Sequence, residues 1–127
     1  MKTTKTTVLA LALSIAAAAC ANQQQQEAPA AKSPEQKAWD LIRDGALLID
    51  VRTQPEFDAG HLEGALRIGH EQIDDLGSAI GADKDRAVVL YCRSGRRSGL
   101  AQKALQQRGF TNVVNGGGYE ALLRTQP

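Results

Sequence analysis

Aromatic residues are scarce in this 127-residue chain: one Trp, two Tyr and two Phe, 4% in all. So thin a set excludes an aromatic platform on which bases or sugars could stack. Cysteine occurs twice, at Cys20 and Cys92, and histidine twice, at His61 and His70. Two cysteines cannot build a disulfide framework, and with two histidines they make a poor zinc set, so neither a metal nor a cofactor is expected. Neither sign of charge dominates: 15 Lys and Arg stand against 14 Asp and Glu, for a formal net charge of +1, with no lysine-rich run. That balance argues against a nucleic-acid partner. Long apolar runs are also missing. The longest, Val8 to Ala19, is 12 residues interrupted by Ser14, whereas a membrane-spanning helix needs ~20. What remains is 43% apolar and 23% charged, the composition of a globular chain with room for one domain.

The N-terminal run has its own pattern. Lys2 and Lys5 precede the apolar stretch, and small residues close it, which reads as a secretory signal peptide over residues 1–20. Losing Lys2 and Lys5 would take the net charge from +1 to −1. Cys20 follows Ala17-Ala18-Ala19 directly. This resembles a bacterial lipoprotein signal, in which the cysteine is acylated and becomes the new N-terminus, although Ala17 stands where that pattern usually carries leucine. Ordinary cleavage after Ala19-Cys20-Ala21 is the alternative. Residues 21–33 are rich in Gln, Ala and Pro. They lack the apolar side chains to offset the entropy of ordering, and read as a tether, which favours the lipid anchor. The expected location is the periplasm, with membrane attachment through a lipidated Cys20. Either route leaves Cys92 as a free thiol in an oxidising compartment, where an unpaired cysteine is either buried and inert or kept for its reactivity.

From residue 34 to 127 the pattern alternates helices and strands. Ser33-Pro34-Glu35-Gln36 is a helix start, with Ser at the N-cap, Pro at the first position and Gln three residues after the cap. Gly45 ends that helix. Ala46–Val51 is an apolar run of the kind a strand covered on both faces shows. A helical turn over Pro55–Asp58, a strand over Ala65–Ile68, a helix over Glu71–Ile80 and a strand over Ala87–Tyr91 follow. Leu100, Ala101, Ala104 and Leu105 give helical periodicity to Ser98–Arg108. A last strand spans Thr111–Asn115, Gly116–Gly118 reads as a flexible turn, and Tyr119–Arg124 as a terminal helix. Strands separated by helices predict an α/β fold, a mostly parallel central sheet with helices on both faces.

The chemistry-bearing segment is Cys92-Arg93-Ser94-Gly95-Arg96-Arg97-Ser98, at the carboxyl end of the most strand-like run. Ligands bind at that end of open α/β sheets. A short loop closing onto a helix start aims backbone N–H groups into one concavity and places the helix dipole behind it. Gly95 permits a left-handed turn, and three arginines add positive field. A cysteine in such a cup is expected to have a depressed pKa, since helix N-termini and nearby Arg favour the thiolate. The segment thus couples a nucleophile to a receptor for small oxyanions.

This loop, together with Leu48-Ile49-Asp50-Val51-Arg52, Glu56-Phe57 and Gly60-His61-Leu62-Glu63-Gly64-Ala65, resembles the rhodanese domain over residues 34 to 124. The small size, the signal peptide and the Tyr91-Cys92 loop look most like a periplasmic single-domain rhodanese of the phage-shock type. The resemblance implies sulfur transfer. Cys92 would take the outer sulfur of thiosulfate as a persulfide and pass it to a thiophilic acceptor, cyanide or a thiol. Residues Arg93, Ser94, Gly95, Arg96, Arg97 and Ser98 would bind the substrate, with the arginines as candidates for the sulfonate end. Asp50 and Arg52 would brace the site through charge-assisted hydrogen bonds, and His61 would order its loop rather than act as a base.

Two other readings compete. Dual-specificity phosphatases that share this fold surround phosphate with a Cys-x5-Arg loop. Here the sixth residue after Cys92 is Ser98, and Arg97 is the fifth, so the loop is one residue short for phosphatase or arsenate reductase chemistry. A sulfur-carrying or docking module without turnover of its own is the other.

Overall fold

The computed structural model describes residues 30–127. The expected signal segment, Cys20 and most of the expected tether lie outside the described residues. Ser33 caps α1 (Pro34–Arg43) through the reciprocal bonds its sequence predicts: its hydroxyl accepts from Gln36 N–H while the Gln36 side chain accepts from Ser33 N–H. The chain then turns through Gly45 into β1 (Leu47–Asp50). Thr53 and Glu56 repeat the capping box at α2 (Gln54–Ala59). The strand expected at Ala65–Ile68 shrinks to β2 (Leu66–Arg67) at the sheet edge. The helix expected from Glu71 starts later, as α3 (Ile73–Ile80), because Gly69-His70-Glu71-Gln72 folds into a turn closed by Gln72 N–H donating to Gly69 O at 3.0 Å. β3 (Val88–Cys92) leads into α4 (Arg96–Gln107), and β4 (Val113–Gly118) into α5 (Tyr119–Arg124).

All four strands are parallel, in the order β2-β1-β3-β4. Alternation along each strand assigns side chains to the two faces. Ile49 of β1 and Val51 just after it, with Val88, Leu90 and Cys92 of β3, pack against Leu76 and Ile80 of α3 and Ala101 and Leu105 of α4. Leu48, Val89 and Tyr91 point the other way, onto Ala38 of α1 and Leu122 of α5. Helices therefore cover both faces, as the alternating pattern predicts. The same parity decides where the chemistry can sit: it delivers the Cys92 side chain to the face covered by α4.

The Gly116–Gly118 segment corrects the sequence reading. It is not a flexible turn but the end of β4, paired with Tyr91 and Cys92 across a register shift at Leu90/Tyr91. The extra residue is a bulge, and glycine is required for the close approach: a Cβ on Gly118 would lie 2.7 Å from the Arg93 carbonyl oxygen. β4 is thus pressed against the loop that follows Cys92.

Candidate active site

Cys92 is the last residue of β3 and is fully buried. The loop after it is only Arg93-Ser94-Gly95. α4 begins at Arg96, two residues earlier than its apolar periodicity indicates, because the left-handed Gly95 (φ +92°) serves as N-cap and turns the chain at once. Arg96, Arg97 and Ser98 therefore belong to the first turn of a helix rather than to a loop. The Gly95 N–H donates to Cys92 Sγ at 3.0 Å, so the nest expected from the sequence is formed, with the sulfur at its centre.

Burial on its own pushes the Cys92 thiol up. The Ser98 hydroxyl, and the amides of Ser98, Ser94 and Gly95, outweigh it and hold the thiol below its ordinary value. The backbone amides at the helix start act as the sequence indicates, and the Ser98 hydroxyl adds a donor that it does not. Hydrogen-bond donors of the cup make the largest contributions to lowering the pKa, and Arg97 also interacts with the sulfur. Ser98, grouped by sequence with the substrate-binding residues, is instead wholly buried, its Oγ 3.5 Å from Sγ.

The arginines separate into two kinds. Arg93 and Arg96 are exposed. Arg97 is not free to hold an anion with its terminal nitrogens, since Nη1 and Nη2 both donate to the Glu56 carboxylate at 2.8 Å. This bidentate pair ties α4 to α2. Arg97, aided by Thr53, pulls Glu56 down from 4.5 to about 2 against the opposing effect of burial. Because folding depresses this pKa, the pair contributes fully above pH ~4.5 and its contribution drains away as pH falls toward 2. Thermal unfolding is therefore expected to show a steeper loss of Tm over that interval in the native chain than in Glu56→Gln. Parallel Tm–pH curves would contradict it.

Asp50 and Arg52 form a buried pair on the opposite face of the sheet from Sγ. The Arg52 Nη2 donates to Asp50 Oδ2 and to the Gly60 carbonyl, each at 2.7 Å, and its backbone N–H to Asp50 Oδ1 at 2.9 Å. The guanidinium lies 4.4 Å from the Tyr119 ring centre and 5.6 Å from that of Tyr91, within cation–π range. Tyr91 Oη accepts the Leu62 N–H at 3.0 Å, and burial pushes this phenol up. His61 is exposed and stacks on Phe57 at 3.6 Å, its Nδ1 donating to the Phe57 carbonyl at 2.9 Å. It is engaged with the end of α2.

A cavity of about 450 Å³ opens beside the cup, lined by Arg52, Glu56, Ala59, Gly60, Arg93, Tyr119 and Glu120. Arg93 is shared between the cavity and the loop. Sequence reasoning missed three participants: Glu56, quoted in a motif but given no role, Tyr119, and Asn115. Asn115 donates from Nδ2 to the Gly95 carbonyl at 2.9 Å and accepts from Ser98 Oγ at 2.7 Å. The available signal was weak, a polar residue following Val113-Val114.

Comparison with known proteins agrees with this arrangement. The chain is 36% identical over 74 residues to thiosulfate sulfurtransferase PspE of Escherichia coli K12, covering 58% of this chain and 71% of that one. It is 36% identical over 95 residues to thiosulfate sulfurtransferase GlpE of Pseudomonas fluorescens, covering 74% and 85% respectively. Among solved structures it resembles a rhodanese with anions from E. coli, at a TM-score of 0.55 and 33% identity over 59% of this chain and 88% of that one. The Rhodanese-like domain model matches residues 34–125, and with strand, cup and helix arranged as described, the chain belongs to the rhodanese-like domain family.

Proposed function

We propose that this chain is a thiosulfate sulfurtransferase working through Cys92. The observation that carries the reading is the thiol itself: Sγ ends a central strand, accepts a hydrogen bond from Gly95 N–H at 3.0 Å and has its pKa lowered by the surrounding donors. The relatives named thiosulfate sulfurtransferase support the substrate. The Cys92 thiolate attacks the outer sulfur of thiosulfate. A new S–S bond forms to Sγ, the S–S bond of thiosulfate breaks, and sulfite leaves with the electron pair. The amides of the cup stabilise the anionic persulfide as an oxyanion hole stabilises developing charge. Cyanide or a thiol then attacks the outer persulfide sulfur and returns the thiolate. Arg93 and Arg96, exposed beside the cup, hold the sulfonate of the donor, and Arg97 acts through Glu56 on the position of α4. Three residues between Cys92 and the start of α4 leave a cup suited to one sulfur atom, not to a tetrahedral phosphoryl group.

Two displacements through one covalent intermediate predict ping-pong kinetics. Initial rates at several thiosulfate and cyanide concentrations are expected to give parallel double-reciprocal lines. Intersecting lines would contradict the covalent route, and persulfide formation without turnover would favour the carrier reading. Arg93→Ala and Arg96→Ala are expected to raise KM for thiosulfate. A lost charged hydrogen bond corresponds to roughly 1.5–3 kcal/mol, or about 10- to 100-fold, and less at these solvent-screened positions. The KM for cyanide is expected to move less, since cyanide attacks a sulfur already bound. Unchanged thiosulfate kinetics in both variants would leave the backbone cup as the whole binding site.

Export belongs to the same proposal. The charged start, short apolar run and Cys20 support a periplasmic protein anchored by acyl chains on Cys20. Mass spectrometry of the mature chain is expected to find an N-terminus at Cys20, and one at Asn22 would overturn the anchor.

A further inference from the structure

The amide of Asn115 is oriented by its partners. Its Oδ1 accepts from Gly117 N–H at 3.0 Å, which can only donate, and its Nδ2 donates to the Gly95 carbonyl at 2.9 Å, which can only accept. Oδ1 is therefore an acceptor, and the contact with Ser98 Oγ at 2.7 Å consumes the Ser98 hydroxyl proton. That hydroxyl has one proton and three acceptors within reach: Asn115 Oδ1, the Gly95 carbonyl at 3.1 Å and Cys92 Sγ at 3.5 Å. The shortest of the three leads away from the sulfur. While the sulfur is neutral, the proton is best placed on Asn115. When Sγ carries charge, as the thiolate, it becomes the stronger acceptor, and rotation of one hydroxyl redirects the proton to it. The thiol proton itself leaves to solvent.

We propose that Asn115 is a positioning residue of the sulfur cup: it fixes the Gly95 carbonyl, competes with Cys92 Sγ for the single Ser98 proton, and so sets how strongly the cup stabilises charge on sulfur. The inference rests on Cys92 being the reacting thiol. Nothing in it requires a particular sulfur donor. The charged groups around the cup are Arg96 and Arg97 of α4, with Glu56 of α2 behind Arg97, Arg93 of the loop, and Glu35 of α1 beside Gly117, while the Asp50–Arg52 pair lies across the sheet. None is altered by a substitution at residue 115.

The test is the pH dependence of iodoacetamide alkylation in the full chain, followed at Cys92 by peptide mass so that Cys20 does not contribute. Asn115→Asp keeps an acceptor for Ser98, loses the donor to Gly95 and adds a negative charge. Its alkylation midpoint is expected to rise by about one unit. Asn115→Ala frees the Ser98 proton for sulfur, and its midpoint is expected to fall. On a Ser98→Ala background, Asn115→Ala is expected to produce no further shift, because its effect runs through that hydroxyl. A role confined to holding the fold would lower Tm without separating the two variants. Shifts of the same sign in both, or an undiminished Asn115→Ala shift without Ser98, would overturn the proposal. Should a variant fail to fold, the native chain carries the test: the Asn115 side-chain amide signals are expected to titrate with the Cys92 alkylation midpoint, and flat signals overturn it. These shifts in a chain that transfers no sulfur would sink the proposed function and leave the role of Asn115 standing.

Discussion

Cys92→Ser is expected to abolish thiosulfate:cyanide sulfur transfer while leaving the fold intact. Serine is nearly isosteric, and the Cys92 side chain sits at the end of the β3 row that packs on α4, so strand and loop should still form. The chemistry does not survive. A serine hydroxyl is barely ionised at neutral pH, whereas a thiol accepting from the Gly95 amide, with Ser98 beside it, is biased toward thiolate. Among the described residues no second cysteine can take over. Circular dichroism should match the native chain, and turnover should fall to background. Residual activity above a few per cent, in protein freed of contaminating enzyme, would show that sulfur travels by another route.

Arg52→Met should be the most destabilising single change near the site. The Asp50 carboxylate is wholly buried and the side chain of Arg52 only 6% exposed. Removing the guanidinium strands a buried negative charge left with the backbone N–H of residue 52 and the neighbouring Tyr91 hydroxyl. Breaking such a pair costs about 3–5 kcal/mol. Arg52 also donates to the Gly60 carbonyl and lies against Tyr119, so the loss should be accompanied by loosening between α2 and α5. The double replacement Asp50→Asn with Arg52→Met removes both charges and should recover much of the stability. Urea unfolding of the two variants measures this. A loss below about 1 kcal/mol in Arg52→Met, the range of an exposed pair, would contradict the bracing role.

The parts of this fold that were legible in the sequence are those written in local chemistry. Ser33-Pro34-Glu35-Gln36 spells a capping box, Ala46–Val51 a strand covered on both faces, and Ala87–Tyr91 the most strand-like run of the chain. Strand alternation then puts Cys92 on the face of Val88 and Leu90, and the structure shows that α4 covers that face. What was not legible depends on neighbours distant in sequence. Three glycines in a row suggest a flexible turn. Only the pressure of Gly118 on the Arg93 carbonyl shows why a strand there must lack side chains. Likewise Arg97 carries the same charge as Arg93 in a linear reading. It is partnered because Glu56, 41 residues earlier, caps α2 at the distance of a bidentate pair. Asn115, and the bond that Ser98 makes to it, are invisible for the same reason. Both residues are ordinary polar side chains until β4 and α4 bring them together above the sulfur.

Sulfur transfer by this chain requires that Cys92 carry the sulfur. Incubation of the full chain with thiosulfate, followed by intact mass and peptide mapping, tests this directly. The predicted result is a gain of one sulfur atom, located on the Cys92 peptide and removed by cyanide. No gain, or a gain placed elsewhere or untouched by cyanide, would contradict the central claim.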